Sequence, residues 1–139
     1  WKLPDKTAEA FRGAYCTVND IARRDEEGYL YLVDRKKNMI ISGGENIYPS
    51  EVEGLLGAHP KVKDVAVIGV PHEKWGESGV AVLVLHPGAT ATPDDIAAHL
   101  EGKLARYKHP ASYVFWPELP KSGYGKVVKK DVKQLLEAQ

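Results

Sequence analysis

Cysteine, methionine and phenylalanine are scarce in this 139-residue chain, which holds one, one and two of them. The single thiol, Cys16, excludes an internal disulfide framework and suits a reducing cytosol. No cation or capping signal stands beside it, so it reads as a structural cysteine rather than a reactive one. Charge of one sign is missing too. With 19 Lys and Arg against 19 Asp and Glu, no bulk field draws in nucleic acid or an anionic membrane. No apolar run reaches spanning length and no signal-peptide pattern is read, so a cytoplasmic protein without a transmembrane segment is expected. The histidines show no ligand spacing, and no protein-bound metal is expected. The chain opens on Trp1 rather than Met and is expected to be a piece of a longer protein.

What is present is ordinary for a globular chain: 43% hydrophobic and 27% charged residues, enough for one modest core. Pro4 to Phe11 is a short helix-like run. Asp20–Asp25 and Tyr29–Val33 read as two strands joined by a turn at Glu26-Glu27-Gly28. Asn38–Ile41 is a third extended run, ending in Ser42-Gly43-Gly44. Pro49 to Leu56 starts as a helix, with acids at its positive end, and His59-Pro60 stops it. Val62–Val70 and Gly79–Leu85 are almost continuously apolar, which predicts central strands of a covered sheet. Thr92-Pro93-Asp94-Asp95 is a helix start, and Ile96, Leu100 and Leu104 follow on one face. Tyr113–Trp116 is a last strand. Lys130–Ala138 is an amphipathic helix expected to bury Val132, Leu135 and Leu136. The fold class is α+β: a β-hairpin and hinge, then a small sheet covered by helices.

One stretch invites a chemical reading. Pro120-Lys121-Ser122-Gly123-Tyr124-Gly125-Lys126 pairs glycines with a terminal lysine, so that backbone and ammonium can approach a bulky anion together. Taken alone it is equally a hairpin tip with a solvated lysine. Upstream lies Asp34-Arg35-Lys36-Lys37-Asn38-Met39-Ile40-Ile41-Ser42-Gly43-Gly44-Glu45-Asn46-Ile47-Tyr48-Pro49. Together, in this order, the two stretches resemble the C-terminal domain of adenylate-forming enzymes, the acyl-CoA synthetase and luciferase family, over nearly the whole chain.

The resemblance implies residues 1–34 as the tail of an N-terminal domain plus the hairpin before the junction, and 35–139 as a mobile C-terminal lid. It identifies Lys126 with the adenylation lysine, an ammonium that stabilises charge building on phosphoryl oxygens as a carboxylate attacks ATP. It places Asp20 on the ribose hydroxyls of ATP with Arg35 assisting, and Lys37 at the hinge. Here Val18-Asn19-Asp20 replaces the family's usual Thr-Gly-Asp. Gly43 and Gly44 would line the tunnel for the pantetheine arm of CoA. Trp75, in a polar turn, is either a core plug or an aromatic face for the CoA nucleotide. Tyr107 lies in Arg106-Tyr107-Lys108-His109-Pro110, a segment whose cations can meet CoA phosphates; His109 and Ala111 stand where some relatives are basic. ATP and CoA are the implied cosubstrates, Mg²⁺ arriving with ATP, and the partners are an N-terminal adenylation domain of the same polypeptide and a small carboxylic acid. Two other readings stay open: the same domain in a luciferase-like or carrier-protein-charging enzyme, and a non-catalytic module binding through Trp75 and Tyr107.

Overall fold

The computed structural model describes residues 2–138, which fall into two compact units, Trp1–Lys37 and Asn38–Gln139. The first unit begins with helix α1 (Pro4–Ala10), whose Pro sits in the first turn where no amide donor is needed. Two short strands follow, β1 (Phe11–Arg12) and β2 (Tyr15–Cys16), paired antiparallel about Gly13. The sequence did not signal them. Cys16 is exposed on β2, which corrects the expectation of a structural cysteine: a two-residue strand has no inner face in which to hide a thiol.

The expected hairpin is present as β3 (Asp20–Arg24) and β4 (Leu30–Arg35). Its turn is closed by Asp25, whose carboxylate accepts from the Tyr29 amide and the Tyr31 hydroxyl at 2.9 and 2.8 Å. The Tyr31 hydroxyl is the main reason that the Asp25 carboxyl is held below its ordinary range. None of the described residues of this unit is buried, and Tyr15, Val18, Tyr29, Leu30 and Leu32 are openly exposed.

In the second unit a sheet runs in the order β6-β5-β8-β7, with β9 added to β8. Its strands are β5 (Ile40–Ser42), β6 (Glu45–Ile47), β7 (Val62–His72), β8 (Gly76–Leu85) and β9 (Ser112–Phe115). β7 and β8 form a long antiparallel ladder from Val62↔Leu85 to His72↔Gly76, and β9 joins β8 in parallel. β8 is central, as expected. β7 is an edge strand, which corrects the second assignment. It is apolar because both of its faces are covered, not because it has strands on both sides.

Alternation divides the core. Val67, Ala81 and Leu83 face one side with Ile40, Val52, Leu56, Ile96 and Leu100. Ala66, Ile68, Val80, Val82 and Val84 face the other with Leu119 and Val132. Helices α2 (Pro49–Gly57) and α3 (Pro93–Leu100) cover the first face, and α4 (Lys129–Glu137) contributes Val132 to the second. α3 opens on a reciprocal cap: Thr92 Oγ1 accepts from the Asp95 amide, and the Asp95 carboxylate accepts from the Thr92 amide. The helix stops at Leu100, so Leu104 reaches the core from the following turn rather than from the helix face. On α4, Val132 is fully buried but Leu135 is half exposed, against expectation. The buried stripe narrows to Val132 with Leu136 beside it.

Candidate active site

Lys126 stands on a tight hairpin. Lys121 and Val127 pair as an isolated bridge, the Ser122 amide donates to the Lys126 carbonyl at 2.8 Å, and the Gly125 amide donates back to the Ser122 carbonyl at 2.8 Å. The Ser122 hydroxyl accepts from the Lys126 amide at 3.3 Å, so the backbone of the lysine is bonded on both polar groups. Tyr124, at the tip, is 95% exposed. Ion pairs hold the first stem of the hairpin and the start of α4 that follows it. Lys121 Nζ lies 2.6 Å from Asp64 on β7, and Lys129 Nζ lies 2.7 Å from Glu53 on α2. Among the described residues no hydrogen bond or ion pair engages the Lys126 ammonium, so a hydrogen-bonded hairpin presents an uncommitted charge.

The glycine loop sits elsewhere. Gly43 and Gly44 follow β5 with φ of +58° and +87°, in the left-handed region that a Cβ disfavours. The Gly43 amide donates to the Trp75 carbonyl at 2.9 Å, and a Cβ at Gly43 would meet Cε3 of the Trp75 ring at 3.0 Å. Ser42 pairs with Gly76, and the Glu77 carboxylate accepts from the next amide along, Ile41, at 3.0 Å. Trp75 is therefore not a core plug. It is 47% exposed and packs on the glycine loop.

The two loops are fastened at opposite ends of the β7–β8 ladder, one at Asp64 and the other beside the His72–Gly76 turn. At about 3.3 Å per residue the anchors are roughly 26 Å apart along the strand. No local pattern in the chain could have signalled this, because the register of β7 on β8 creates it.

In the first unit Asp20 and Arg35 are brought together as cross-strand partners, with Arg35 Nε 3.6 Å from Asp20 Oδ1. Asp20 also lines a cleft of about 260 Å³ with Arg12, Tyr15, Thr17, Asn19 and Lys36. Asn19 holds φ +58°, the conformation in which Asn is among the best-tolerated substitutes for Gly. The Thr17 hydroxyl accepts its amide at 3.1 Å. Asn19 thus holds the left-handed turn that leads into Asp20. Lys37 lies in a 3₁₀ turn, Lys36–Asn38.

Tyr107 is half exposed in another 3₁₀ turn, Arg106–Lys108. The cation next to it is committed: Lys108 Nζ donates to both Glu51 carboxylate oxygens at 2.8 and 2.7 Å. That bond holds the Lys108 ammonium above its ordinary pKa, offsetting a smaller desolvation effect. His109 turns inward, its Nε2 3.1 Å from the Leu104 carbonyl. Of the five-residue segment, Arg106 and Tyr107 are what is left facing outward. The residues missed from sequence are the anchors Glu51, Glu53, Asp64 and Ser122, whose partners are mostly far along the chain.

Residues 51–126 match the family model described as the AMP-binding enzyme C-terminal domain. Indoleacetate–CoA ligase of Aromatoleum aromaticum is 46% identical over 98% of this chain and 27% of its own length. Feruloyl-CoA synthase of Amycolatopsis is 47% identical over 96% of the chain and likewise 27% of its own. Among solved structures, ATP-bound MatB from Rhodopseudomonas palustris superposes with a TM-score of 0.86 at 38% identity, over 98% of this chain and 27% of that one. The chain thus spans about a quarter of the length of the relatives it matches.

Proposed function

The chain belongs to the family of AMP-binding enzyme C-terminal domains, and from that premise we propose that it is the catalytic lid of an ATP-dependent carboxylic acid–CoA ligase. In the first half-reaction a carboxylate oxygen attacks the α-phosphorus of ATP, and the bond to the bridging oxygen of pyrophosphate breaks. The products are acyl-AMP and pyrophosphate. In the second, the thiol sulfur of CoA attacks the acyl carbon, AMP leaves, and the thiol proton passes to solvent or a base.

Lys126 serves the first step. Its ammonium meets the negative charge that grows on the phosphoryl and bridging oxygens, and needs no proton transfer to do so. Asp20 accepts from the ribose hydroxyls, and Arg35 holds the Asp20 carboxylate in place. Gly43 and Gly44 serve the second step, their bare backbone letting the pantetheine arm pass close. Lys37 lies at the hinge that presents first one loop and then the other. ATP brings the Mg²⁺. The acid pocket and the remaining ATP contacts belong to an N-terminal adenylation domain, which also covers the exposed apolar side chains of residues 2–37. None of the described residues of that unit is buried, so it has no core of its own to hold it. Without the N-terminal domain Lys126 has no ATP and acid to act on, and the isolated chain is inactive.

The observation that carries this reading is the placement of the two loops. A hairpin whose Lys126 ammonium has no partner among the described residues and a double-glycine loop are attached at opposite ends of one long ladder, as a lid with two working faces requires. The test uses the full-length enzyme. Lys126→Ala should lower acid-dependent pyrophosphate release by at least about 10²-fold, the size expected for losing one charge-stabilising donor. Conversion of supplied acyl-AMP and CoA to the thioester should persist. Loss of both half-reactions alike, or of neither, refutes the assignment. Transfer to a carrier-protein thiol but not to free CoA would retain Lys126 and change the acceptor.

A further inference from the structure

The second unit has a core of its own and draws most of its large apolar side chains toward it. Ile41, Trp75, Tyr107 and Leu135 are the more open of them, and each is still about half covered. Tyr124 stands apart at 95% exposure. It sits between Gly123 and Gly125, where an added Cβ would meet nothing beyond its chain neighbours within 4 Å. Among the described residues no hydrogen bond engages its hydroxyl and no ring contact its face. The backbone beneath it is committed, by contrast. The Gly125 amide donates to the Ser122 carbonyl, and the Ser122 amide to the Lys126 carbonyl. Tyr124 and Lys126 are therefore two steps apart on one closed turn, within about 7 Å between Cα atoms. Wherever this hairpin carries the Lys126 ammonium, the Tyr124 ring arrives with it.

We propose that Tyr124 is the anchor that seats the lid for adenylation, its ring entering an apolar recess of the N-terminal domain beside the phosphate site. This rests on the reading of Lys126 given above. The partner follows from the same geometry: the chain spans 27% of its relatives' length, and the ATP that Lys126 serves is held in the remainder. A tyrosine suits the task. Its ring takes about 150–250 Å² out of water, and only two torsions are frozen in doing so. The contact is made in one orientation of the lid and broken in the other. It therefore shifts the population toward the adenylating orientation without adding to the chemistry of either step. Lys126 acts on charge, and Tyr124 on where the hairpin comes to rest.

The experiment has two arms in the full-length enzyme. Kinetically, Tyr124→Ala should lower kcat for acid-dependent pyrophosphate release by about 30-fold, the loss typical of truncating an aromatic anchor. KM for ATP should move by less than about threefold, because no substrate contact is removed. Thioester formation from supplied acyl-AMP and CoA should stay within about twofold of the parent. Tyr124→Phe, which keeps the ring and loses the hydroxyl, should recover most of the rate. The second arm is hydroxyl-radical footprinting read by mass spectrometry. Oxidation of Tyr124 should fall several-fold when ATP is added without acid, and should fall equally in Lys126→Ala, whose ring is intact.

Tyr124→Phe as slow as Tyr124→Ala, or a raised KM for ATP with kcat intact, would make the side chain a substrate contact and overturn the proposal. So would equal slowing of both half-reactions, unchanged pyrophosphate release in Tyr124→Ala, or a ring that stays open with ATP bound. If Lys126→Ala released pyrophosphate at the parent rate, the reading of Lys126 would fall. Protection of Tyr124 by ATP would then still support the anchor, and its absence would remove it.

Discussion

Replacing Glu53 by alanine removes a carboxylate that ties three elements together. Its Oε1 accepts the Val67 amide of β7 at 2.7 Å and faces Lys129 Nζ, at the start of α4, at the same distance. The two side chains are 20% and 24% exposed, so water screens the pair only in part. β7 is an edge strand and Val67 is buried, leaving its amide no ready substitute once the carboxylate is gone. A hydrogen bond to a charged acceptor contributes about 1.5–3 kcal/mol, and a stranded buried amide costs about 1–3 kcal/mol. These overlap, so a loss of about 3 kcal/mol is expected for Glu53→Ala. Glu53→Gln keeps an acceptor for Val67 and loses the charge facing Lys129, and should cost about 1 kcal/mol. Lys129→Ala should cost no more than about 1 kcal/mol. Urea titration followed by circular dichroism measures all three, and for a domain of this size Glu53→Ala should also lower Tm by roughly 10–20 °C. If Glu53→Gln proved as damaging as Glu53→Ala, the backbone bond would not be the dominant part. A cost below about 1 kcal/mol for Glu53→Ala would mean that the edge amide finds water, and the reasoning would fail.

The ring of His59 lies edge-on to His99, 5.0 Å between centroids, with Lys61, Lys103 and Asp95 around the pair. Burial first, then the neighbouring His99 and Lys61, hold its pKa below the ordinary 6.5, with Asp95 opposing. Unfolding therefore takes up a proton in the interval below 6.5, so this contribution is complete above that pH and is lost as pH falls through it. Denaturation midpoints at pH 7.5 and pH 5 should differ less in His59→Gln than in the parent chain, and an equal difference would exclude His59 as the source. Thr92→Ala removes one half of the reciprocal cap on α3 and should cost about 1 kcal/mol, with Thr92→Ser nearly neutral; equal losses from both would point to the Thr92 methyl group instead of the hydroxyl.

What could be read directly from the chain was whatever neighbours in sequence settle between themselves. Thr92-Pro93-Asp94-Asp95 starts a helix because hydroxyl, ring and carboxylates act within one turn of each other. The Val62–Val70 and Gly79–Leu85 runs become strands because alternating apolar side chains are needed on both faces of a doubly covered sheet. Where two such constraints met, the reading slipped. Apolarity placed β7 in the interior of the sheet, since covered faces and flanking strands leave the same mark on composition. Helical spacing put Leu104 on the face of α3 and Leu135 on the buried face of α4, but α3 stops short of Leu104, which is buried from the following turn, and the core ends before Leu135.

Fold class and the chemistry-bearing loops were thus fixed locally, by caps, turns and the order of two motifs. The tertiary structure alone determined what those loops can do. Lys121 meets Asp64, and Lys108 meets Glu51, across 57 residues of chain in each case. The first pair pins the hairpin that presents Lys126, and the second ties Lys108 to α2. Trp75 became the wall behind Gly43 for the same reason. Pairing energies at such separations depend on strand register and packing, and those are properties of the folded whole rather than of any stretch within it.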